Sequence, residues 1–472
     1  MSAEPASTTA ARADADRSFR FGRRHDVWQP DRLQPPQWGH IGPIVVGSLA
    51  VGLLTAVALA AAPFVSSRMN VLTGVVLLGF AFGWALVAVL SVRFSDQPQG
   101  WAAAPAVFLA LAGLISLLPP GSVVQDGFGW VWPPLLLGLV IWTILRARRH
   151  LRSRTRRWLV YPLLVVLALA SIGGGYETVR ESIDATAYPA PGQLIDVGGH
   201  RLHLNCTGTG SPTVVMEPGH GEVSSAMAWI ATAVAQDTKV CVYDRAGRGW
   251  SDPADRPQDA VETATDLHTL LDRAHIPGPY VLAGHSFGGL YVLTFAATYP
   301  DQVAGLVLLD STAPRPGAAP PTKAGSYDLI GRISTLLSAT AHLGAAHLIP
   351  DSYDTLPARS RDEARATVST ARSVESYLNE FRAGAAATRQ AAALADFAGK
   401  PLIVVTAGRG NDATWQAAQN KLATLSTNSR HRVVPDATHA SLVNDQTHSA
   451  AASQAIRDVV KAVRTDQALP PS

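Results

Sequence analysis

Charge is scarce in this chain. Only 16% of its 472 residues are Asp, Glu, Lys or Arg, while 47% are hydrophobic, which excludes a disordered polyelectrolyte. Cysteine is scarcer. Two residues, Cys206 and Cys241, cannot build a multi-disulfide scaffold or a Cys-rich zinc ribbon. Basic residues form no stripe along a folded region, so no nucleic-acid partner is expected. The charges are instead split unevenly: residues 1–183 carry a net +7 and residues 184–472 a net −4.

The most telling absence is local. Five stretches, 41–65, 71–92, 101–118, 127–145 and 158–176, contain no Asp, Glu, Lys, Arg or His. Each is near the ~20 residues that cross a bilayer as a helix. Trp101, Trp130, Trp132, Trp158 and Tyr161 lie near their ends, where amphipathic rings favour the interface. One such run is often a buried core helix. Five in succession predict an all-α membrane region of about five helices over 41–176, preceded by a tail (1–40) and followed by a linker (177–192). A signal peptide cut near 58–62 is disfavoured by the long charged segment before it and the spans after it. With no ionisable residue inside any span, a pump or ion-coupled transporter is not expected. An anchor is.

Arg146, Arg148, Arg149, Arg152, Arg154, Arg156 and Arg157 separate the fourth span from the fifth and predict a cytoplasmic loop by the positive-inside rule. Counting back puts the N-terminal tail, with Arg17, Arg20, Arg23, Arg24 and Arg32, in the cytoplasm of a multi-pass cell-membrane protein. Counting forward puts everything after Tyr176 outside. Cys206 and Cys241 fall there, where a disulfide is a reasonable reading against two buried thiols.

After Ala187–Pro191, short β-branched runs alternate with helical patterns. Strands are expected at 193–197, 200–206, 213–217, 239–243, 280–283, 305–310, 402–406 and 430–435, giving a mostly parallel eight-stranded sheet covered by helices. Between 312 and 394 no strand is expected. Helices near 327–343 and 362–394 read as a lid, and Ser360 with Glu363 has the spacing of a capping box for the second.

The residues able to do chemistry gather at strand ends. Gly284-His285-Ser286-Phe287-Gly288-Gly289 follows one strand and opens a helix. A serine on such a turn projects its hydroxyl above the sheet, and small neighbours let the backbone pass close by. His439, after the last strand, is the expected base. His200 and His203 lie in the opening hairpin, His431 at the wrong end of its strand, and His342 and His347 in the lid without metal-ligand spacing. Asp310 and Asp412 both end strands on the correct face, and the residues alone allow either as the acid that orients the imidazole. An oxyanion hole needs two backbone N–H groups, expected from Phe287 and His220, the latter in Pro218-Gly219-His220-Gly221.

Together with Tyr243-Asp244-Arg245-Ala246-Gly247-Arg248-Gly249-Trp250-Ser251-Asp252, these residues resemble the α/β-hydrolase superfamily, in its lid-bearing branch similar to proline iminopeptidases, cofactor-free haloperoxidases and esterases. The resemblance covers about 193–463 of an expected hydrolase domain at 193–465, with the lid insertion at 312–394, and not the membrane region. It implies an α/β-hydrolase fold and brings the second and fourth strands side by side, which favours a Cys206–Cys241 disulfide. The family's Gly-x-x-Asp after the seventh strand appears here as Gly408-Arg409-Gly410-Asn411, with Asp412 one place late. That departure favours Asp310.

The expectation is a membrane-anchored extracytoplasmic serine hydrolase that cleaves an ester, amide or thioester of a small-molecule or lipid-like acyl substrate through Ser286, His439 and an aspartate. The chemistry calls for no metal or other cofactor. Acyl transfer to an alcohol uses the same groups, and a non-catalytic binding or sensing module is the rival from another class. A serine nucleophile disfavours epoxide hydrolase and dehalogenase chemistry, for which the family places Asp there.

Overall fold

The computed structural model describes residues 41–95, 97–118, 123–150, 161–254, 258–315, 317, 329–349 and 352–470. The tail, Arg152–Arg157, Trp158 and residues 318–328 of the expected lid lie outside them.

The first part folds into α1 (Ile41–Ala61), α2 (Met69–Phe94), α3 (Ala103–Ser116), α4 (Val123–His150) and α5 (Tyr161–Ala187). Four helices, at Ile41–Ala61, Met69–Phe94, Gly127–Arg149 and Tyr161–Ala187, are long and apolar enough to cross a membrane. The third expected span forms only the shorter helix Gly100–Ser116, because a Gly and a 3-10 turn open it and Pro119-Pro120 follows it. It nonetheless returns along the length of α2. At one end the Gln99 N–H donates to Ser91 Oγ (2.8 Å), and at the other the Asn70 amide donates to the Leu118 carbonyl (3.0 Å). Small residues let α1 and α2 touch: a Cβ on Gly52 would lie 2.6 Å from Gly83 Cα, the close approach that packs helices in lipid. The fifth helix continues past Tyr176 to Ala187, so the expected linker begins as helix.

The second part is one eight-stranded sheet in the order β1-β2-β4-β3-β5-β6-β7-β8. Its strands are β1 (Gln193–Asp196), β2 (Arg201–Thr207), β3 (Val214–Glu217), β4 (Val240–Tyr243), β5 (Tyr280–His285), β6 (Val303–Leu309), β7 (Leu402–Ala407) and β8 (Ser429–Val434). The β1–β2 and β2–β4 pairs are antiparallel and the rest parallel. Central strands of this kind are buried on both faces and need continuous apolar runs. β6, Val-Ala-Gly-Leu-Val-Leu-Leu, is buried at every position but one. Along it, Leu306 and Leu308 join one core with Leu270, Leu290 and Phe295. Val307 and Leu309 join the opposite core with Met216, Ile230 and Ile456.

Helices α6 (Ala228–Val234), α7 (Ala260–Arg273), α8 (Gly288–Thr298), α12 (Ala413–Ala423), α13 (Ser441–Asn444) and α14 (Gln446–Thr465) surround the sheet. In α7 the Asp259 carboxylate caps the N–H groups of Val261 and Glu262 (3.0 Å each), while Leu267, Leu270 and Leu271 face the core. Cys206 and Cys241 are register partners on β2 and β4 and form a disulfide.

The lid comprises α9 (Leu329–Ser338), two 3-10 turns, α10 (Ala358–Val368) and α11 (Ala371–Ala391). The expected single helix at 362–394 is thus two helices, broken at Ser369-Thr370, where the Thr370 hydroxyl caps the second. The expected capping box does not form. The N-cap is Pro357, Ser360 lies inside the helix, and Glu363 instead accepts from Arg359 (2.7 Å) and from the Ser225 hydroxyl (3.2 Å).

Candidate active site

Ser286 sits in the turn between β5 and α8 with φ +54°, a left-handed conformation disfavoured for residues with a Cβ. Crowding enforces it. A Cβ on Gly284 would come within 2.6 Å of the Gly288 carbonyl oxygen, and one on Gly288 within 2.3 Å of that of Glu217. The Ser286 N–H donates to the Leu309 carbonyl (3.0 Å), and its own carbonyl accepts from Thr312 (2.9 Å). The hydroxyl is left facing the strand ends.

His439, in the turn after β8, brings Nε2 to 2.9 Å from Ser286 Oγ. Its Nδ1 lies 2.6 Å from Oδ2 of Asp310. A carboxylate only accepts, so Nδ1 carries the proton and Nε2 is free to accept the serine proton. Asp310 follows β6, also at positive φ (+42°), and its side chain is fully buried. Burial opposes its ionisation. Hydrogen bonds from His439, Trp415 and Asn411 outweigh that cost and hold the carboxyl below the usual carboxylate range. The Trp415 indole N–H donates at 2.8 Å and the Ala407 N–H at 3.2 Å, both to Oδ1. Asp412, the other candidate, is exposed and caps α12 by accepting from the Trp415 backbone N–H (2.8 Å).

The loop after β3 runs beside the serine. Its His220 ring stacks on Tyr377 of the lid with centroids 4.1 Å apart, and Nε2 donates to the Tyr377 carbonyl (2.9 Å). The ring lies 5.4 Å from that of Phe287. Burial lowers the His220 pKa, which keeps it a neutral ring. Among the described residues neither the His220 nor the Phe287 backbone N–H has a hydrogen-bond acceptor.

Four further residues surround this centre. Arg245 lies in the Asp-Arg-x-Gly-x-Gly run, whose role the resemblance assigns as mainly structural. Its guanidinium donates to the carbonyls of Pro218 (2.8 Å) and Gly219 (2.7 Å), to Glu217 (2.6 Å) and to Glu380 of the lid (2.8 Å). Glu380 also accepts the Gly221 N–H (3.0 Å). Behind His439, His285 directs Nδ1 to Glu222 (2.9 Å) and Nε2 to the His439 carbonyl (3.1 Å). Both partners are acceptors, so His285 is doubly protonated. Burial disfavours that cation, but Glu222 reverses the balance and raises the His285 pKa. Burial likewise disfavours the Glu222 anion, yet His285 pulls its pKa down to about 2. His203 stays in the hairpin, bonded to Asp244 (2.8 Å), and His431 bonds Thr406 and Asn420. Among the described residues, no group of three or more His, Cys, Asp or Glu could hold a metal ion.

Residues 212–446 match the model of the family described as alpha/beta hydrolase fold. The chain is 30% identical over 221 residues to an uncharacterized protein of Schizosaccharomyces pombe, covering 40% of this chain and 39% of that protein. It is 36% identical over 110 residues to the lipase LipV of Mycobacterium tuberculosis, covering 23% and 41% respectively. It is 28% identical over 130 residues to an uncharacterized vacuolar membrane protein of Saccharomyces cerevisiae, covering 24% and 20%. The matched region thus spans less than half the length of each of these relatives.

Proposed function

From its membership of the alpha/beta-hydrolase family over residues 212–446, we propose that this chain is a membrane-anchored serine hydrolase acting on an ester, amide or thioester. The observation that carries the reading is His439, with Nε2 2.9 Å from Ser286 Oγ and Nδ1 2.6 Å from Asp310. His439 takes the hydroxyl proton as Oγ attacks the carbonyl carbon. The oxyanion is received by the N–H groups of His220 and Phe287, at the positive end of α8. The imidazolium, stabilised by Asp310, returns its proton to the leaving group. Water then enters by the same route, with His439 as base, and releases the acid. Asp412 has no part in this scheme.

The hydrolase domain is assigned to the extracytoplasmic side. Besides the arginine-rich segment after α4, two features support this. The short third helix runs back along α2 between Gln99 and Leu118, and counting it as a crossing beside the four long helices gives five. The lid also bonds to the connection between α1 and α2, the end opposite the arginine-rich segment: Arg332 donates to the Ala60 carbonyl (2.9 Å) and to that of Val65.

Covalent labelling of membranes by a fluorophosphonate tests the chemistry. Labelling is expected in the native chain and lost in Ser286→Ala. Labelling that survives the substitution identifies another nucleophile, and a folded native chain that never labels overturns the enzyme reading. Reporter fusions test the orientation, which a periplasm-type signal from a fusion within residues 146–157 would overturn.

A further inference from the structure

The lid helix α9 is turned the wrong way for water. Its buried residues are Gly331, Arg332, Thr335 and Ser338, whereas Leu329, Ile330, Ile333 and Leu337 are exposed, Ile330 at 78%. Leu348 (84%) and Ile349 (67%) add exposed apolar surface at the end of the second 3-10 turn, Ala345–Leu348. Isolated exposed leucines are ordinary on soluble proteins. An apolar stripe at i, i+1, i+4 and i+8 above a polar inner face is not.

What lies beside this stripe identifies its occupant. Besides the Arg332 bonds, the Ser338 hydroxyl lies 3.5 Å from Met69 Sδ at the start of α2. The lid's second contact is α5: a Cβ on Gly173 would come within 2.4 Å of the Leu343 carbonyl oxygen, and His347 bonds Glu177 at 3.0 Å. The lid that carries the stripe therefore meets the facing ends of α1 and α2 and the middle of α5. On α5 the exposed row Val165, Leu169, Ile172, Tyr176, Val179 and Ile183 runs on past the turn that meets the lid.

Two exposed aromatic side chains of the lid stand beside the site near the same level. Phe381 (71% exposed) and Tyr377 flank the His220 ring at 6.3 and 4.1 Å. They follow Glu375, which accepts the Met69 backbone N–H, on α11. Six residues of helix from Glu375 to Phe381 span about 9 Å, so the aromatic pair beside His220 lies within about one lipid headgroup of the Met69 end of α2.

Resting on the serine-hydrolase reading above, we infer that α9 lies in the outer interface of the bilayer with Leu329, Ile330, Ile333 and Leu337 among the acyl chains, and that the site takes its substrate sideways from that leaflet. The substrate class is a membrane-resident acyl ester or amide whose carbonyl sits at headgroup depth. Helices of this polarity bury their apolar face ~5–10 Å into the headgroup–acyl boundary, the depth at which such a carbonyl resides.

The test uses the full chain in phosphatidylcholine–phosphatidylglycerol vesicles and compares it with the variant I330D/I333D. Hydrolysis of 4-methylumbelliferyl oleate dissolved in the bilayer is expected to fall at least tenfold. Hydrolysis of water-soluble p-nitrophenyl butyrate and the rate of fluorophosphonate labelling should stay within twofold, which also certifies folding. No fall on the oleate, or an equal fall on both esters, overturns lateral entry. A second readout is independent of catalysis. Cys206 and Cys241 are bonded to each other, so I330C offers a single reactive thiol for a bimane probe. Its fluorescence should be quenched by nitroxide-labelled phosphatidylcholine, while a bimane on K461C is not. Absence of quenching at position 330 overturns the bilayer contact and leaves a second copy or another protein as its cover. If the native chain neither labels nor cleaves either ester, the serine-hydrolase reading fails and lateral entry with it, while quenching still decides the contact.

Discussion

Asn411 donates its side-chain amide to both carboxylate oxygens of Asp310, at 3.1 Å to Oδ1 and 3.2 Å to Oδ2. Asn411 occupies the position after the seventh strand where the resembling family places its acid. The amide at that position supports the Asp310 carboxylate. On this reading Asp310→Asn costs hydrolysis of a short ester on the order of 10³- to 10⁴-fold, by losing the tautomer that Ser286 needs. The double variant D310N/N411D restores the acid from the neighbouring strand end and recovers at least tenfold of that loss. Asp412→Ala removes only a helix cap, with kcat unchanged and stability lower by about 1 kcal/mol. Ester turnover and urea unfolding of the three variants check the set.

Glu380 joins the lid to the loop that carries His220, accepting from the Gly221 N–H and from Arg245. Glu380→Ala removes one of the two carboxylates that neutralise buried Arg245, and leaves the Gly221 N–H without its acceptor. Breaking a buried charge pair from one side costs about 3–5 kcal/mol, so unfolding in urea should shift by that order. Because the same loop carries the His220 N–H, kcat should fall about tenfold at unchanged fluorophosphonate stoichiometry. Glu380→Gln keeps a carbonyl acceptor for Gly221 and should recover most of the kcat while remaining less stable. Equal kcat in both variants would separate the lid contact from the oxyanion loop.

Continuous apolar runs such as β6 and the Ser286 turn were legible in the sequence, because burial on both sheet faces and backbone crowding each leave few residue choices. So were the four long apolar helices and the paired cysteines. The lid was legible only as an absence of strands. Its break at Ser369-Thr370 and its cap at Pro357 belong to a helix held by α5, through Arg359 and the Ala187 carbonyl, and by the 3-10 turn Ser224–Met227, through Ser225 and Glu363, contacts that local spacing does not encode. Arg245, Glu222 and His285 were missed as site residues because their partners are 28, 63 and 154 positions away. A signal was present, since an arginine and a histidine inside apolar strand-end motifs need buried acceptors. Choosing between Asp310 and Asp412 needed the third dimension, although Asn411 in the family's acid position already pointed to Asp310.

The Cys206–Cys241 disulfide closes a loop with a sequence separation of 35 between neighbouring strands. A loop of that length removes at most about 4 kcal/mol of unfolded-state entropy. C206A/C241A should therefore unfold at lower urea concentration by up to that amount. Ser286 lies on the far side of β3 from this pair, so the variant should keep its fluorophosphonate labelling below the unfolding transition. Labelling lost in the folded variant would show instead that the bridge shapes the site.

The buried Glu222–His285 pair makes stability depend on pH from both sides. Glu222 has a folded pKa of about 2, below its ordinary 4.5. Its contribution is present above pH 4.5 and is lost as pH falls towards 2. His285 has a folded pKa raised above 6.5. Its contribution is complete below pH 6.5 and is lost as pH rises through the raised value. The pair is therefore at full strength between about pH 4.5 and 6.5, where the Glu222 shift is worth at most about 3 kcal/mol. Glu222→Gln removes the anion and with it the reason for the cation. The difference in unfolding free energy between native and E222Q chains should be greatest near pH 5.5 and narrow in both directions. Urea unfolding from pH 3 to pH 9 measures it, and a difference independent of pH would mean that the pair is held by packing rather than charge.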